Sequence, residues 1–404
     1  MFCPMSKLAV VALGLVWLLS ACSGDDALSG ARIAFISERD GNQELYVMNA
    51  DGSNLKRLTE TEADEMLPVW SPDGRRLAFY TVSNSESREP LIEYFVVEAG
   101  GSGLAKLAET NQYAVGRPIV WSPDSSQLAL QLDSLVHLVN ADGTDLTPLA
   151  VPGSWHELYD PVWSPDGSRI LISAGGAPTS VLLAVDSDTH EVTELATAGI
   201  NPEWSPDGSK VAFVKRGHDS SEMYLMNYDG SDQVHLGQSQ GFGLTWSPDG
   251  SRLAFGSYRQ GAADLFVVNA DGFGLTALTD QFGPGESRIN AIVWSPDGSR
   301  IAFTASIGHS MVPDEIFVIN TDGTGLANLT KTGTLRETII GWSADGDQIF
   351  YVAEHGEAVP SGPQNVAQFD FDIFVMNADG SGVMSLSDDP APDSMAALWT
   401  SDER

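Results

Sequence analysis

The stretch Val69-Trp70-Ser71-Pro72-Asp73-Gly74 decides the fold, because close copies of it recur along almost the whole chain. Five copies read WSPDG unchanged, and WSPDS, WSADG and WTSDE complete a set of eight. The motif tryptophans are Trp70, Trp121, Trp163, Trp204, Trp246, Trp294, Trp342 and Trp399. They stand 51, 42, 41, 42, 48, 48 and 57 residues apart, and a period of this size indicates a repeat architecture.

One repeat contains four short apolar segments separated by turns. In the copy around Trp294, Pro296 and Gly298 supply the backbone angles of a tight turn. Asp322-Gly323 is a hairpin signal. The four predicted strands are residues 291–294, 300–303, 315–320 and 326–330. Four short antiparallel strands of this kind form one blade of a β-propeller.

The sequence therefore predicts an all-β fold, a single β-propeller of eight four-stranded blades. Seven blades are the alternative if one degenerate repeat does not form a blade. Uninterrupted blades are predicted to begin near residues 67, 118, 160, 201, 243, 291 and 339. Residues 32–59 supply three further strands with no WSPDG before them, and the missing inner strand is residues 396–400. We expect this C-terminal strand to join the N-terminal blade and close the ring.

The start of the chain resembles an export signal. Lys7 precedes an apolar run over residues 8–19, which is too short to span a bilayer. The sequence LSAC that ends at Cys22 resembles the lipobox of bacterial lipoproteins. This resemblance implies cleavage before Cys22 and acylation of that cysteine. An ordinary signal peptide followed by a chance cysteine is the alternative.

The predicted domains are a lipoprotein signal peptide at 1–21, a lipidated tether at 22–31 and the propeller at 32–404. Two acyl chains are enough for stable anchoring. We therefore expect an exported protein, attached by its lipid to a bacterial membrane and facing the periplasm or the exterior. Ser23 after the cysteine is compatible with the outer membrane of a two-membrane cell.

The charge of the chain narrows the range of partners. With 55 acidic and 21 basic residues, the formal net charge is −34. Nucleic acid is excluded as a partner, because phosphate binding needs lysine and arginine. An anionic membrane would repel the body, so we expect the lipid to provide the anchoring. After signal removal one cysteine remains, so neither a disulfide within the chain nor a cysteine-based metal site is expected.

The repeat WSPDG-x-RIAF … LFVVNADG … LT resembles the TolB-type β-propeller repeat, which is also described as WD40-like or PD40, over residues 32–400. The resemblance implies the fold, and it implies less about function, because such propellers serve periplasmic scaffolds, peptidases and some polysaccharide lyases. TolB itself has six blades and an N-terminal α/β domain. Here a tether precedes the first blade, so we expect a lipoprotein that lacks this domain.

One face of the propeller is the expected binding surface. The loops that lead into the inner strands share this face with the loops between the second and third strands. Its candidate binding residues are Arg39, Glu65, Arg117, Tyr159, Asp160, His218, Arg259, His309 and His355. The loops over 305–314 and 353–370 are longer than a hairpin needs, which is typical of functional loops and also of tolerated insertions.

Two enzymatic hypotheses were weighed against this binding surface. The string GQSQG at 237–241 matches a nucleophile pattern, but it falls between two predicted strands where a nucleophile elbow needs a helix. His156, His218, His309 and His355 share the binding face, and some lyases with this propeller hold a divalent metal by histidines. The blades that carry them are spread around the ring, so no metal and no cofactor are predicted.

The sequence favours a monomeric, non-enzymatic scaffold that binds an envelope protein or a cell-wall polymer, with no catalytic residues assigned. The alternative is a carbohydrate-active enzyme, similar to a polysaccharide lyase, with a histidine and arginine site at the channel mouth.

Overall fold

The fold is described from a computed structural model of the chain. The structure describes residues 30–83, 90–112, 119–151, 155, 157–175, 180–217, 221–239, 243–259, 262–279, 288–306, 314–333, 335–361, 366–387 and 393–400. Within these ranges every regular element is a β-strand. The strands form eight antiparallel four-stranded blades arranged in a ring, which confirms the predicted eight-bladed propeller.

The first four blades are given with their strands ordered from the innermost to the outermost. They consist of β32 (Asp393–Trp399), β1 (Arg32–Ser37), β2 (Glu44–Asn49) and β3 (Lys56–Arg57) in blade 1; β4 (Asp64–Trp70), β5 (Arg76–Ser83), β6 (Leu91–Glu98) and β7 (Ala105–Thr110) in blade 2; β8 (Ile119–Trp121), β9 (Gln127–Leu132), β10 (Leu135–Asn140) and β11 (Thr147–Pro148) in blade 3; and β12 (Leu158–Trp163), β13 (Arg169–Ala174), β14 (Val181–Asp186) and β15 (Val192–Thr197) in blade 4.

The other four blades follow the same order. They consist of β16 (Gly199–Trp204), β17 (Lys210–Arg216), β18 (Ser221–Asn227) and β19 (Val234–Ser239) in blade 5; β20 (Leu244–Trp246), β21 (Arg252–Arg259), β22 (Ala262–Asn269) and β23 (Thr276–Ala277) in blade 6; β24 (Arg288–Trp294), β25 (Arg300–Ser306), β26 (Glu315–Asn320) and β27 (Ala327–Asn328) in blade 7; and β28 (Glu337–Trp342), β29 (Gln348–Ser361), β30 (Val366–Asn377) and β31 (Met384–Ser385) in blade 8.

The ring is closed by the last strand, as predicted. Strand β32 pairs antiparallel with β1, and Trp399 stands opposite Arg32. Strand β32 also meets β30 of blade 8 at one pair, Phe371 opposite Asp393. The two ends of the chain therefore share blade 1, so the ring cannot open without breaking the β1–β32 pairing.

The inner strands contain a bulge that the sequence did not predict. Leu67, Asp160, Asn201 and Ala291 all have positive φ, between 42° and 54°, at the third position before the motif tryptophan. The pairing register of their strands shifts beside these residues. Leu67 and Ala291 carry no turn signal, because the left-handed region is unusual for such residues.

The motif tryptophans join neighbouring blades. The Trp121 indole Nε1–H donates to the Val69 carbonyl at 3.1 Å, and Trp342 donates to Val293 at 3.2 Å. In the same way six of the eight tryptophans, all within the described residues, bond to the inner strand of the preceding blade. Each of these bonds ties two blades that the sheet ladders do not connect.

The arginine that follows WSPDG completes this contact from the other side. The Arg300 guanidinium lies 5.0 Å from the centre of the Trp342 ring and donates to the Gly346 carbonyl at 2.7 Å. Arg252 lies 5.2 Å from the Trp294 ring in the same arrangement. The motif therefore encodes an inter-blade clamp, because the arginine of one blade covers the tryptophan of the next.

The SPD residues of the motif satisfy the turn internally. Ser295 Oγ donates to Asp297 Oδ1 at 2.6 Å and accepts from the Arg300 N–H at 2.9 Å. The Ser299 N–H also donates to Asp297 at 3.0 Å. The Ser295 hydrogen bond, together with the bonds from Ser299, lowers the pKa of Asp297 to about 2. The turn therefore closes with an ionised aspartate at its centre.

We expect Trp246→Ala to lower the free energy of unfolding by ~3–5 kcal/mol, because it leaves a cavity between blades 5 and 6. Trp246 is only 8% exposed and packs in the cluster shared by these blades. Denaturant unfolding followed by circular dichroism measures the change. The control Leu135→Ala truncates a side chain that is 36% exposed. Equal effects of the two variants would contradict the inter-blade role.

We expect Gly74→Ala to destabilise the ring more than Gly298→Ala does. Both glycines have positive φ, at 65° and 67°, so an alanine would cause about the same backbone strain at either position. A Cβ on Gly74 would overlap the Trp399 indole, whereas a Cβ on Gly298 would lie 3.8 Å from Pro248 Cδ. The excess should be about 1–3 kcal/mol, typical of overpacking, and paired melting curves measure it. Equal losses would mean that Trp399 does not hold the seam.

Candidate functional site

The two faces of the propeller differ in what they carry. The turn face is formed by the WSPDG turns and by the turns between the third and fourth strands of each blade. The loop face, on the opposite side, is formed by the loops into the inner strands and by those between the second and third strands. The loop face is the predicted binding surface, and charged side chains are concentrated there around blade 1.

Arg39 lies on the loop face of blade 1 and holds a buried carboxylate. Its Nη2 donates to Asp393 Oδ1 at 3.2 Å, and its Nε donates to Ser37 Oγ at 2.9 Å. The guanidinium lies over the Phe35 and Tyr46 rings at 5.2 and 5.0 Å. Burial raises the pKa of Asp393 to about 6, although Ser37 and Arg39 donate to it. Arg39 therefore fixes the end of the closing strand.

A second cation continues the network toward blade 2. Arg57 Nη2 donates to the buried Glu44 Oε1 at 2.6 Å, and Arg57 lies 3.6 Å from Asp40. The Thr61 N–H also donates to Glu44 Oε1, at 2.9 Å, while the Thr61 hydroxyl donates to Glu65 Oε1 at 3.0 Å. Because Tyr46, under Arg39, donates to Asp40, the network connects both sides of blade 1.

Glu44 and Glu65 form a buried carboxyl pair between blades 1 and 2. Both side chains are fully buried. Burial and then the Glu44 charge raise the pKa of Glu65 to about 8. A proton on Glu65 therefore avoids placing a second negative charge beside Glu44 in the buried site.

The same arrangement recurs between blades 7 and 8. The Gly333 N–H donates to Glu315 Oε1 at 2.8 Å, and the Thr332 hydroxyl donates to Glu337 Oε1 at 3.1 Å. Burial, reinforced by the Glu315 charge, raises the pKa of Glu337. Buried acids thus occupy the loop-face ends of three consecutive blade interfaces, from blade 7 through the closing blade to blade 2.

Two other predicted residues lie elsewhere in the ring. Tyr159 is half-buried against blade 5, and burial followed by the Asp160 charge raises its pKa. Asp160 is buried and adopts a φ of 53° in the bulge of β12. The structure therefore brings Arg39 and Glu65 into one network and leaves this pair in blade 4. Glu65 and Asp160 lie inside strands rather than in loops, so they are not presented on the surface.

The remaining candidates cannot be placed. Arg117, His218, His309, His156 and the acylation candidate Cys22 lie outside the described residues. Arg259 and His355 lie in β21 and β29, but their side chains are outside the described set.

The segment predicted as a long loop over 353–370 is different in the structure. Strand β29 continues to Ser361 and β30 begins at Val366, so most of the segment forms a paired hairpin. Its register shifts between His355 and Val359. The length of the segment suggested a loop, but most of that length extends the two paired strands.

Sequence reasoning missed the acids that complete the network. Glu44 and Glu315 each begin the third strand of their blade, where a single polar residue carries no separate signal. Glu65 and Glu337 share one position, five residues before the motif tryptophan. When the repeats are aligned with one another, Glu44 matches Glu315 and Glu65 matches Glu337. This coincidence is the sequence signal that could have revealed the two carboxyl pairs.

The described residues also bear on metal binding and on membrane spanning. Within these ranges, no cluster of three or more His, Cys, Asp or Glu side chains is arranged to hold a metal ion. The same part of the chain contains no helix that is long and apolar enough to cross a membrane.

The sequence was compared with known protein families. The sequence profile of the TolB beta propeller domain matches residues 27–198 and 134–292, which together are more than half of the chain. The chain belongs to the TolB β-propeller family. It is 30% identical to a protein named Protein TolB homolog from Chlorobaculum tepidum over 131 residues, or 31% of this chain and 28% of that protein. The chain thus spans less than a third of the length of the curated relatives it matches.

This TolB-family chain is also similar in fold to several solved structures. Dipeptidyl peptidase 4 of Porphyromonas gingivalis aligns over 90% of this chain and 60% of its own, with a TM-score of 0.62 and 11% identity. An oligogalacturonate lyase in complex with manganese aligns over 80% of this chain and 94% of its own, with a TM-score of 0.51 and 18% identity. At these identities the likeness shows a shared propeller and nothing about activity.

We expect Glu65→Gln to flatten the dependence of stability on pH. Between about pH 4.5 and 8 the folded chain retains a proton on Glu65 that the unfolded chain has released. The free energy of unfolding of the wild-type protein therefore falls as the pH rises through this window. Two groups face the Glu65 carboxyl. They are the Glu44 carboxylate, which pairs with Arg57, and the Thr61 hydroxyl.

At about pH 8 the glutamine variant should be the more stable by on the order of 2–3 kcal/mol, and near pH 5 the difference should shrink. Urea unfolding at both pH values measures it, and exposed Glu60→Gln is the matched control. A wild-type stability that rises across this window would contradict the buried proton.

Proposed function

We propose that this protein is an extracytoplasmic propeller that is anchored to a membrane through Cys22 and presents its loop face to an envelope protein or cell-wall polymer. Membership of the TolB β-propeller family carries the proposal. Several relatives are named Tol-Pal system protein TolB, which associates them with an envelope assembly. The LSAC sequence supports the lipid anchor, and the apolar run before it supports export.

A protein partner is the better supported ligand on the loop face. The charged side chains of blade 1 form a fixed network, with Arg39 and Arg57 each held by buried carboxylates. Such a network presents a rigid surface, because its side chains are already ordered before binding and lose little entropy on association. Exposed acids beside it, Glu60 and Glu62, surround the network with negative charge suited to a basic partner.

The test is a chemical cross-linking pull-down from envelope extract with the full-length protein expressed in its membrane. We expect one envelope protein to be captured by the wild type and lost with Glu60→Lys/Glu62→Lys on the loop face. Asp188→Lys/Glu191→Lys, which reverses two exposed charges on the turn face, is the matched control and should retain it.

Two outcomes would count against the proposal. Loss of the captured protein only with the turn-face variant would mean that the partner binds the turn face and not the loop face. Turnover of an acidic polysaccharide that disappears with Arg39→Ala would favour the lyase alternative instead.

A further inference from the structure

The chain leaves the described body on the turn face. Strand β1 begins at Arg32, which donates to the Gly74 carbonyl in the WSPDG turn of blade 2. The preceding Ala31 accepts from the Ala50 N–H at 2.9 Å, beside the turn between the third and fourth strands of blade 1. Any tether that leads from Gly30 toward the N-terminus therefore starts from the turn face and not from the loop face.

The turn face carries a recurring set of exposed apolar side chains. Three residues after the glycine of the third-to-fourth-strand turn, blades 1, 2, 3, 6 and 8 carry an aliphatic residue that is 40–55% exposed. Blade 6 adds Phe273, which is 74% exposed. We define the apolar rim as Leu55, Leu104, Leu146, Phe273, Leu275 and Val383.

The positions of these residues suit a flat partner. Blades of a closed ring are related by rotation about its axis, so equivalent positions in different blades lie at nearly the same height. The rim residues therefore lie close to one plane. An extended planar surface can contact all of them together, whereas a small convex protein would reach only one or two neighbouring blades.

The rim is also placed around the point where the chain leaves the body. Blade 1 carries that point, and the rim residues occupy blades 6, 8, 1, 2 and 3. Across the ring, blade 5 has Gln233 at the equivalent position, and Val192 in blade 4, like Leu326 in blade 7, is only partly exposed. An exposed aromatic of blade 5, Tyr228, lies under the Arg169 guanidinium at 5.0 Å. The apolar side of the turn face is thus the side nearest the tether.

Phe273 departs from the repeat in a way that costs a hydrogen bond. In the equivalent turns a serine or threonine hydroxyl donates to the aspartate, as Ser231 does to Asp229 at 2.6 Å. At Phe273 only the backbone N–H donates to Asp271, at 3.0 Å. Phe273 thus gives up the hydroxyl hydrogen bond of this turn while its side chain is mostly exposed. Such a departure from the repeat indicates a role for the side chain at the surface.

We propose that the apolar rim rests on the lipid bilayer to which the tether leads, with Phe273 and Leu275 inserted at the headgroup boundary. This inference rests on the lipid anchor of the proposed function. Phenylalanine and leucine are suited to that boundary. The aspartates of the same turns, such as Asp51 and Asp379, hold lowered pKa values through hydrogen bonds from the serines beside them and stay ionised. A zwitterionic surface is therefore the occupant that fits, and an anionic one is disfavoured.

Docking by the rim fixes the orientation of the body. The loop face, with the Arg39 and Arg57 network, then points away from the membrane and is open to a partner. Attachment at one point would not achieve this, because it leaves the body free to rotate about that point. Contact through the apolar rim would therefore hold the propeller body in one orientation on the membrane.

The experiment uses the full-length protein, purified from membranes and reconstituted into phosphatidylcholine vesicles. Mass spectrometry first establishes whether Cys22 is acylated. An acylated Cys22 leaves an introduced cysteine as the single free thiol, and Thr276→Cys on the turn face and Asn111→Cys on the loop face each take an environment-sensitive fluorophore. Spin-labelled headgroups should quench the Thr276 label at least about twofold more than the Asn111 label.

The rim itself is tested with Phe273→Ser/Leu275→Gln, which gives blade 6 the residues of blade 5 at these positions and should preserve the fold. We expect the difference in quenching between the two labels to disappear in this variant, and to fall in wild-type protein when phosphatidylglycerol is added. Equal quenching of both labels in acylated wild-type protein, or an unchanged difference in the variant, overturns this inference and leaves the anchor intact. An unmodified Cys22 overturns both.

Discussion

The fold depends on contacts between blades, since no backbone ladder joins most of them. Each blade is a complete four-stranded sheet with two apolar faces, and neither face can be left in water. The indole of Trp342 packs on blade 7 and bonds to its backbone, while Arg300 of blade 7 covers the outer side of that ring. Where an arginine follows the turn, one motif supplies both partners of the joint, because Arg76, Arg252 and Arg300 each cover the motif tryptophan of the next blade. Repetition of the motif is what makes the ring self-consistent.

The seam shows how the ring is packed at the copy that departs most from WSPDG. Blade 1 receives its inner strand from the C-terminus, where WTSDE replaces WSPDG and the turn proline is missing. In other junctions the glycine of one turn faces the proline of the preceding one, so that a Cβ added to Gly346 would lie 3.6 Å from Pro296 Cδ. At the seam Trp399 fills that space instead, against Gly74, and Arg32 lies between the Trp70 and Trp399 rings. Aromatic and cation–π packing thus replaces turn packing.

The sequence was sufficient for the fold because the signals that specify it are local. Turn residues, alternating strands and the spacing of Trp294 from Asp322-Gly323 all fall within one repeat. The inner-strand bulges were missed, because Leu67 and Ala291 are held at positive φ by neighbouring strands and not by their own preferences. The carboxyl pairs were missed for a related reason. Glu44 and Glu65 come from different blades, so only the closed ring shows that their side chains meet.

The two faces of the ring differ in how far the repeat constrains them. On the turn face most blades repeat the same turns, because the WSPDG turn also packs against its neighbour, and a departure such as Phe273 stands out. The loop face has no such contact to preserve, so its loops differ in length and composition. Buried charge has collected there, at three adjacent junctions that include the seam. These acids reduce packing efficiency, since a buried charge needs a partner or a proton. Arg39 pairs with Asp393 and Arg57 pairs with Glu44, whereas burial raises the pKa of Glu65 and Glu337. The arginine pairs make the loop face of blade 1 a fixed polar surface.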